Sequence, residues 1–426
     1  MVSLVGDART VGTRWGTLNA ADTRRHTDAM VATWRKRGLS DKQMVAKSEP
    51  FRRFDAKFAP HWLDEAAAIA QAAGTRPEFY TAFLAGKYRD LFFVDECTSF
   101  LAVGDATADG ATLFHKNRDN VAREQSAYYK RIAHASNPAG FHTTGDTSDT
   151  GLMMMVNDHG LAGSADVGGL PEDRPKGDGV MNPYILRVIA EQAERCEDAL
   201  EIIQQCIREG WYAGGRKAGT NWLFADRHGT GMRVAQNSHA EKHWVFHDTT
   251  AFLARGATPG ARLITGKKGQ ITLRDMNAAA THPSICFETS ISALTVRIDP
   301  KQPADLSSMW FALPACSPYV PVFPAGKAAP RPLVDGTCFE GGRKLLKHRK
   351  ANAKNGFGSG VVLVDDIANR RAATQDALYA EAEKVERAVR AARAQGNADK
   401  AAKLAAEGSA TACTRLMQFL AETEKV

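Results

Sequence analysis

"CTSFLAVGDATADGATLFHKNRDN", residues 97–120, divides the chain in two. Two runs of strand-forming residues, CTSFLAV and ATLFHKN, flank the turn-rich GDATADG, a pattern that predicts a β-hairpin. If the turn joins Val103 to Ala111, Cys97 faces Asn117, to within about two residues of register. Asp119 then falls a residue or two away. A thiol, the ammonium of Lys116, an amide and a carboxylate meet at one sheet end. Two explanations stay open on spacing alone. Cysteine is often buried and charged residues commonly end strands, or the cluster carries chemistry.

Outward from this hairpin the texture changes. The first 96 residues predict helices. Ser40 to Gln43 and Thr75 to Glu78 have capping-box form, and HWLDEAAAIAQAAG (61–74) stops at a glycine. Beyond the hairpin come a short apolar run, GLMMMVN (151–157), and a helix pair from NPYILRVIAEQAERC (182–196) through EDALEIIQQCIREG (197–210). Asn182 is the expected cap of the first, with Pro183 at its first position. TNWLFAD, MRVAQN, HWVFH and SICFETSISALTVRID predict further strands, and residues from Thr374 onward predict helices broken at 396–397 and at Gly408. Helices, strands, a helix pair and more strands and helices predict an α+β protein. No internal repeat and no biased linker forces a domain boundary.

Composition excludes several classes. Of 426 residues, 44% are hydrophobic and 24% charged, as in a globular chain. No apolar run has the length of a membrane span. The start carries Asp7 and Arg9 where a signal peptide needs an apolar stretch, so cytoplasmic residence is expected. Seven scattered cysteines without CxxC spacing predict reduced thiols rather than a disulfide framework or zinc site. The net charge of +7 is mild, and its densest run, RKLLKHRKANAK (343–354), lacks aromatics to stack bases. Nucleic-acid binding is therefore not expected. HExxH, a phosphate-loop lysine motif and a strand-linked GxGxxG are missing, and GFGSG (356–360) reads as a turn. The methionines of 153–155 and the aromatics of 222–224 read as core, with an acyl pocket as the alternative.

Taken with its neighbours, the stretch 97–120 resembles the start of the mature chain in cysteine N-terminal-nucleophile (Ntn) hydrolases. The features are a Cys-Thr opening, a D-G turn and an N-x-D ending. The groups concerned are choloylglycine hydrolase and penicillin V acylase, acyl-CoA:6-aminopenicillanic-acid acyltransferase (peptidase family C45), and the secernin/dipeptidase group. FDAKFAPHWLDEAAAIAQAAG and EFYTAFLAGKYRDLF resemble the helical segment that precedes the cysteine in the acyltransferase group. VNDHGLAGS (156–164) is similar to its N-x-x-G-L element, AERCEDALEIIQQC to its paired helix, and GTNWLFADRHG (219–229) to its G-N-x-x-x-x-D-x-x-G turn. The closing strands resemble ICFETSISALTVRID and MWFALPACSPYVPVFP, so the likeness spans most of residues 55–325.

The resemblance implies a four-layer αββα Ntn sandwich. It has a helical segment 1–96, a catalytic core 97–345 and a helical C-terminal extension 346–426 packed on that core. It implies self-cleavage of the Glu96–Cys97 bond, after which Cys97 is nucleophile through sulfur and base through its new α-amine. An α-amine has a pKa of about 7.7–8.0, against about 10.4 for lysine, and so accepts a proton near neutrality. Asp119 would hold that amine, Lys116 stands where relatives carry Arg, and Asn157 and Asn221 match the two positions whose amide side chain or backbone N–H would form the oxyanion hole. By spacing alone, each Asn reads as a turn or strand-end residue. Two departures stand out: glycine commonly precedes the cysteine in the acyltransferase relatives where this chain has Glu96, and Lys116 lacks the fork of Arg. The implied partners are a small-molecule amide substrate and the chain's own fragment 1–96. No cofactor, metal, nucleic acid or membrane is expected, and homo-oligomer formation stays open. The alternatives are a dipeptidase, a CoA-dependent N-acyltransferase, an unprocessed inactive binding homologue, or an interaction protein acting through residues 343–354 and the helical tail.

Overall fold

The computed structural model describes residues 1–90, 97–120, 125–137, 139–174, 178–215, 217–350, 353–355 and 358–425. The chain opens with a short strand, β1 (Leu4–Gly6), followed by helices α1 (Ala8–Leu18), α2 (Ala20–Lys36) and α3 (Asp41–Ala46). Then come α4 (Glu49–Phe58), α5 (Trp62–Ala73) and α6 (Pro77–Asp90). Local chemistry sets these boundaries. Asp7 accepts from Thr10 N at 2.7 Å to cap α1, and Ser40 and Gln43 cap α3 reciprocally. α5 stops at Gly74, whose φ of 72° favours glycine.

Strands β2 (Thr98–Ala102), β3 (Thr112–Asp119), β4 (Ser126–His134), β5 (Phe141–Asp146), β6 (Met154–Asn157) and β7 (Leu161–Pro171) follow. Helices α7 (Asn182–Gln192) and α8 (Cys196–Arg208) come next; Asn182 is already helical, with Met181 in the cap position. The chain continues through β8 (Ala218–Asp226), β9 (Gly231–Gln236), β10 (Glu241–Phe246) and β11 (Thr250–Phe252). Helices α9 (Pro259–Thr265) and α10 (Leu273–Thr281) lead to β12 (Ser290–Ile298), α11 (Pro303–Leu306), β13 (Ser308–Ala312) and β14 (Val320–Val322). After α12 (Arg331–Val334) and α13 (Thr337–Lys344), a small hairpin, β15 (Ala353–Asn355) with β16 (Gly358–Gly360), precedes α14 (Asp365–Ala394) and α15 (Ala398–Glu424).

Two sheets stack face to face. One has the order β1-β4-β5-β6-β7-β8-β9-β10 and the other β11-β2-β3-β12-β13-β14. β12, β13, β2 and β3 touch β4 to β8 across the gap. Helices α7 and α8 cover the outer face of the first sheet; α10, α14 and α15 cover the second. The architecture is therefore α+β, helix–sheet–sheet–helix, as expected. Both flanks of β2 and β3 are covered, and every residue of the two strands is buried. Met153, Met154, Met155, Trp222, Leu223 and Phe224 are core residues.

α15 corrects one expectation, because it runs unbroken through Gly408. A Cβ there would meet Val385 Cγ1 at 2.7 Å and Phe323 Cε2 at 2.9 Å. The glycine permits close helix packing rather than ending a helix. The α14–α15 turn does fall at Gly396 and Asn397, with Gly396 at φ 71°. The basic run is paired with acids: Lys344 to Glu424, Arg349 to Glu288 and Lys350 to Asp365. All seven cysteines are free and buried. No helix among the described residues is long and apolar enough to cross a membrane.

Candidate active site

The β2–β3 hairpin pairs Thr98 with Asn117 and Ser99 with Lys116. That register continues to put Cys97 opposite Arg118, one residue from the expected partner. Strand alternation then sorts the side chains. Thr98, His115 and Asn117 point outward: Asn117 Nδ2 donates to Ala280 O at 2.8 Å, under α10. Ser99, Lys116 and Arg118 point into the gap between the sheets, and alternation carries Cys97 to that side.

Cys97 begins this arrangement and is 5% exposed. Beside it, Arg255 Nη1 donates to Thr98 Oγ1 and lies 3.3 Å from Asp119 Oδ2. The other oxygen of Asp119 accepts from Ser290 Oγ, which itself accepts from Phe287 N at 2.9 Å. The Arg255 guanidinium stacks 4.2 Å from the centre of the Phe287 ring. Its backbone is left-handed, φ 61°, a conformation non-glycine residues hold only where the surroundings demand it. Asp119 is thus a buried carboxylate at the head of β2, and the Arg255 guanidinium and the Ser290 hydroxyl are among the groups that hold it. A second thiol, Cys286, shares this corner; burial and the Asp119 charge push its pKa up to about 12.

On the inner side, Ser99 Oγ donates to Asp166 Oδ2 at 2.8 Å, and Lys116 Nζ donates to Asp166 Oδ1 and, at 2.8 Å, to Ala165 O. Lys116 therefore meets a carboxylate of its own chain. Asn221 stands directly across from Asp166 on β8. Its Nδ2 donates to Gly168 O, and its Oδ1 accepts from Arg233 Nη2 at 3.2 Å. Deeper in the gap, Arg118 forks onto Asp146 at 3.0 and 3.1 Å, and Lys87 reaches Asp146 and Asp149 at 2.9 and 3.2 Å. Lys87 comes from α6, so the helical segment supplies charge next to the hairpin.

Asn157 lies elsewhere. It aligns with Leu161 on β7, five residues along that strand from the Asp166 level, or on the order of 15 Å. Its Nδ2 donates to Ala193 O at 2.7 Å and Ala190 O at 3.3 Å, and its Oδ1 accepts from Leu161 N at 3.0 Å. The side chain closes the β6–β7 turn and the end of α7, with both N–H groups spent. The structure thus places Cys97, Lys116 and Asn221 on the gap side at the head of β2, Asp119 on its outward side beside Thr98, and Asn157 apart from both. Glu96 lies outside the described residues.

Sequence reasoning missed Arg255, Ser290 and Asp166. An acid inside the apolar run LAGSADV was a readable sign for Asp166. Arg255 and Ser290 come from 136 and 171 positions beyond Asp119, with no local pattern to mark them. As for metals, His61, His134 and Glu191 bring ligand atoms within 4.8 Å of one another. Arg187 already donates to Glu191 and Glu65, and lies 3.3 Å from His134 Nε2. A second cation would face that guanidinium, so the group reads as an ion-pair network.

Comparisons follow this geometry. The family model described as acyl-coenzyme A:6-aminopenicillanic acid acyl-transferase matches residues 106–251, bearing out the resemblance read from the sequence. No curated protein matches. Among solved structures, a variant of conjugated bile acid hydrolase from Clostridium perfringens is similar at 10% identity and TM-score 0.37, covering 53% of this chain and 92% of its own. The Caenorhabditis elegans ortholog of N-acylethanolamine-hydrolyzing acid amidase gives 8%, 0.36, 49% and 94% for the same quantities. Penicillin V acylase from Agrobacterium tumefaciens gives 10%, 0.36, 53% and 86%. At these TM-scores the structural likenesses carry no argument of their own.

Proposed function

We propose that the chain is a self-processing cysteine Ntn enzyme that cleaves a linear amide, or transfers its acyl group, through a thioester on Cys97. The observation that carries the reading is the head of β2. There the strand begun by Cys97 lies beside the buried Asp119, with Arg255 and Ser290 fixing that carboxylate. The match of residues 106–251 to an acyltransferase family supports it.

In the first step, Cys97 Sγ attacks the carbonyl carbon of Glu96. A C–S bond forms, the C–N bond breaks, and the thiol proton passes to the departing amine. Water then opens the thioester, leaving a Glu96 carboxylate and a free Cys97 with its own α-amine. In turnover this amine takes the thiol proton, and the thiolate attacks the substrate carbonyl. The leaving amine collects the proton, and water or an acceptor amine releases the acyl group. Asp119 holds the ammonium by a charge-assisted bond. Asn221 serves the oxyanion once it turns from Gly168 O, and loss of such a donor costs about 10²–10³ in rate.

Intact-mass measurement with N-terminal sequencing tests the proposal. Wild-type protein should give two chains, the larger beginning Cys-Thr-Ser-Phe, and Cys97→Ala should give one. A single full-length species that still turns over an amide would defeat the self-cleavage. One that neither turns over nor reacts with a thiol reagent would favour the inactive binding homologue. Hydroxylamine added to an acyl-donor assay separates transfer, which yields a hydroxamate, from hydrolysis.

A further inference from the structure

The three strands that end the first sheet, β8, β9 and β10, carry Asn221, Arg233 and Trp244 to one place. Arg233 pairs with Leu223 of β8 on one side and with Trp244 of β10 on the other. Asn221 lies two positions from Leu223, so strand alternation puts Asn221, Arg233 and Trp244 on the same face. It is the face on which Asp166, opposite Asn221, meets Ser99 of β2.

The fork of Arg233 converges on a single atom. Its Nη2 and Nε donate to Asn221 Oδ1 at 3.2 and 3.3 Å. The guanidinium lies 4.9 Å from the centre of the Trp244 ring, which is 42% exposed and covers the half-buried cation. Arginine commonly pairs with a carboxylate; among the described residues Arg233 meets none. Its charge is directed at a neutral amide instead, and it decides which end of that amide faces which way. A reversed Asn221 would set Nδ2 against two N–H donors, and Oδ1 against the Gly168 carbonyl to which Nδ2 now donates. The charge on Oδ1 also polarises the amide, which makes its N–H groups stronger donors. Nδ2 has two of them, and among the described residues only Gly168 O accepts.

We propose that Arg233 is a positioning residue for acyl transfer. It acts through Asn221, holding the amide so that N–H and not oxygen meets the negative charge that develops on the substrate carbonyl. Trp244 holds Arg233 in turn. This role rests on the Cys97 thioester chemistry of the proposed function and makes a separate demand: the effect of Arg233 disappears once Asn221 is gone.

The test uses p-nitrophenyl acetate, whose acetyl group passes to the Cys97 thiolate with release of p-nitrophenolate. Rates are taken above those of Cys97→Ala, on full-length chains whose processing is followed by intact mass. Alkylation of Cys97 by iodoacetamide, which forms no oxyanion, is the control. Asn221→Ala should lose about 10²–10³ in acylation rate and Arg233→Met about tenfold or more, with alkylation of the latter at the wild-type rate. In the Asn221→Ala background, adding Arg233→Met should change acylation by less than about twofold. Trp244→Ala should cost about two- to fivefold, as for an exposed cation–π contact, and Trp244→Phe should restore most of it. Wild-type acylation no faster than that of Cys97→Ala would sink the thioester chemistry, and the role of Arg233 with it. Where wild type is acylated, three results overturn the Arg233 role alone. They are an unchanged rate in Arg233→Met, additive losses in the double variant, and alkylation that falls together with acylation, which would assign Arg233 to the fold.

Discussion

The Lys116 ammonium sits between the two sheets, wholly buried, against the Asp166 carboxylate and the Ala165 carbonyl. Ion pairs in such a place contribute little net stability, yet removing one partner strands the other. Lys116→Met should therefore cost about 3–5 kcal/mol in urea unfolding, and the double change with Asp166→Leu should recover most of it. If Lys116→Met unfolds like wild type while only turnover falls, the lysine acts on chemistry and this assignment fails. The contrast shows what the sequence could and could not tell at this scale. The hairpin was legible to within one residue, since Cys97 falls opposite Arg118 where the turn spacing put it opposite Asn117. The partner of Lys116 was not, since cross-sheet contacts leave no periodic trace. Asn157 shows a related limit: N-x-x-G-L also reports a local turn, in which Asn157 Oδ1 accepts from Leu161 N and Gly160 takes φ 84°. That turn does its work wherever the oxyanion lies.

Among the elements, β1 and α6 tie residues 1–90 into the core. β1 adds a parallel edge strand to β4, pairing Leu4 with Ile132, and Val2 bridges to Ala329. From α6, Lys87 neutralises Asp146 and Asp149, and Tyr88 Oη donates to Asp149. Glu65 of α5 forks onto Arg187 of α7 at 2.9 and 2.7 Å. A chain of residues 97–426 made alone would leave Asp146 and Asp149 without Lys87, and Arg187 without Glu65. We expect it to be insoluble, and co-production with residues 1–96 to restore a soluble, cooperatively melting complex. Recovery of residues 97–426 alone, with wild-type melting behaviour, would show these contacts to be dispensable. In this segment the Ser40–Gln43 cap of α3 and the Gly74 stop of α5 could be read from the sequence. β1 could not, because three residues carry no alternation and only the exposed edge of β4 makes them a strand. Gly408 gives the converse case, since a residue that breaks isolated helices was retained where two helices and Phe323 crowd together.

For the whole molecule, the consequence of so much enclosed charge is acid sensitivity, and its sign follows from who can take a proton. His115 is fully buried; its Nε2 meets the side-chain amide oxygen Oδ1 of Asn117 at 3.0 Å and its Nδ1 the hydroxyl of Thr295 at 2.8 Å. Those partners fit a neutral ring with its proton on Nε2. Burial drives its pKa down from 6.5 to about 3, and that of His26 to about 4. A depressed histidine binds fewer protons folded than unfolded as pH falls below 6.5, so the unfolded chain gains and stability drops until the folded pKa is reached. Carboxylates add to the same trend. Against the upward push of burial, Arg187 and His134 hold Glu65 well below the usual range, and Arg187 and His61 lower Glu191. Asp55 opposes it, since burial raises its pKa to about 7 and it binds its proton more readily folded. The contribution of His115 can be isolated by comparing slopes. Between pH 7 and about 4.5, wild-type unfolding free energy should fall by about 2–3 kcal/mol more than that of His115→Gln. Parallel pH profiles for the two proteins would mean that the His115 ring is reached by water and protonates as freely in the fold as outside it.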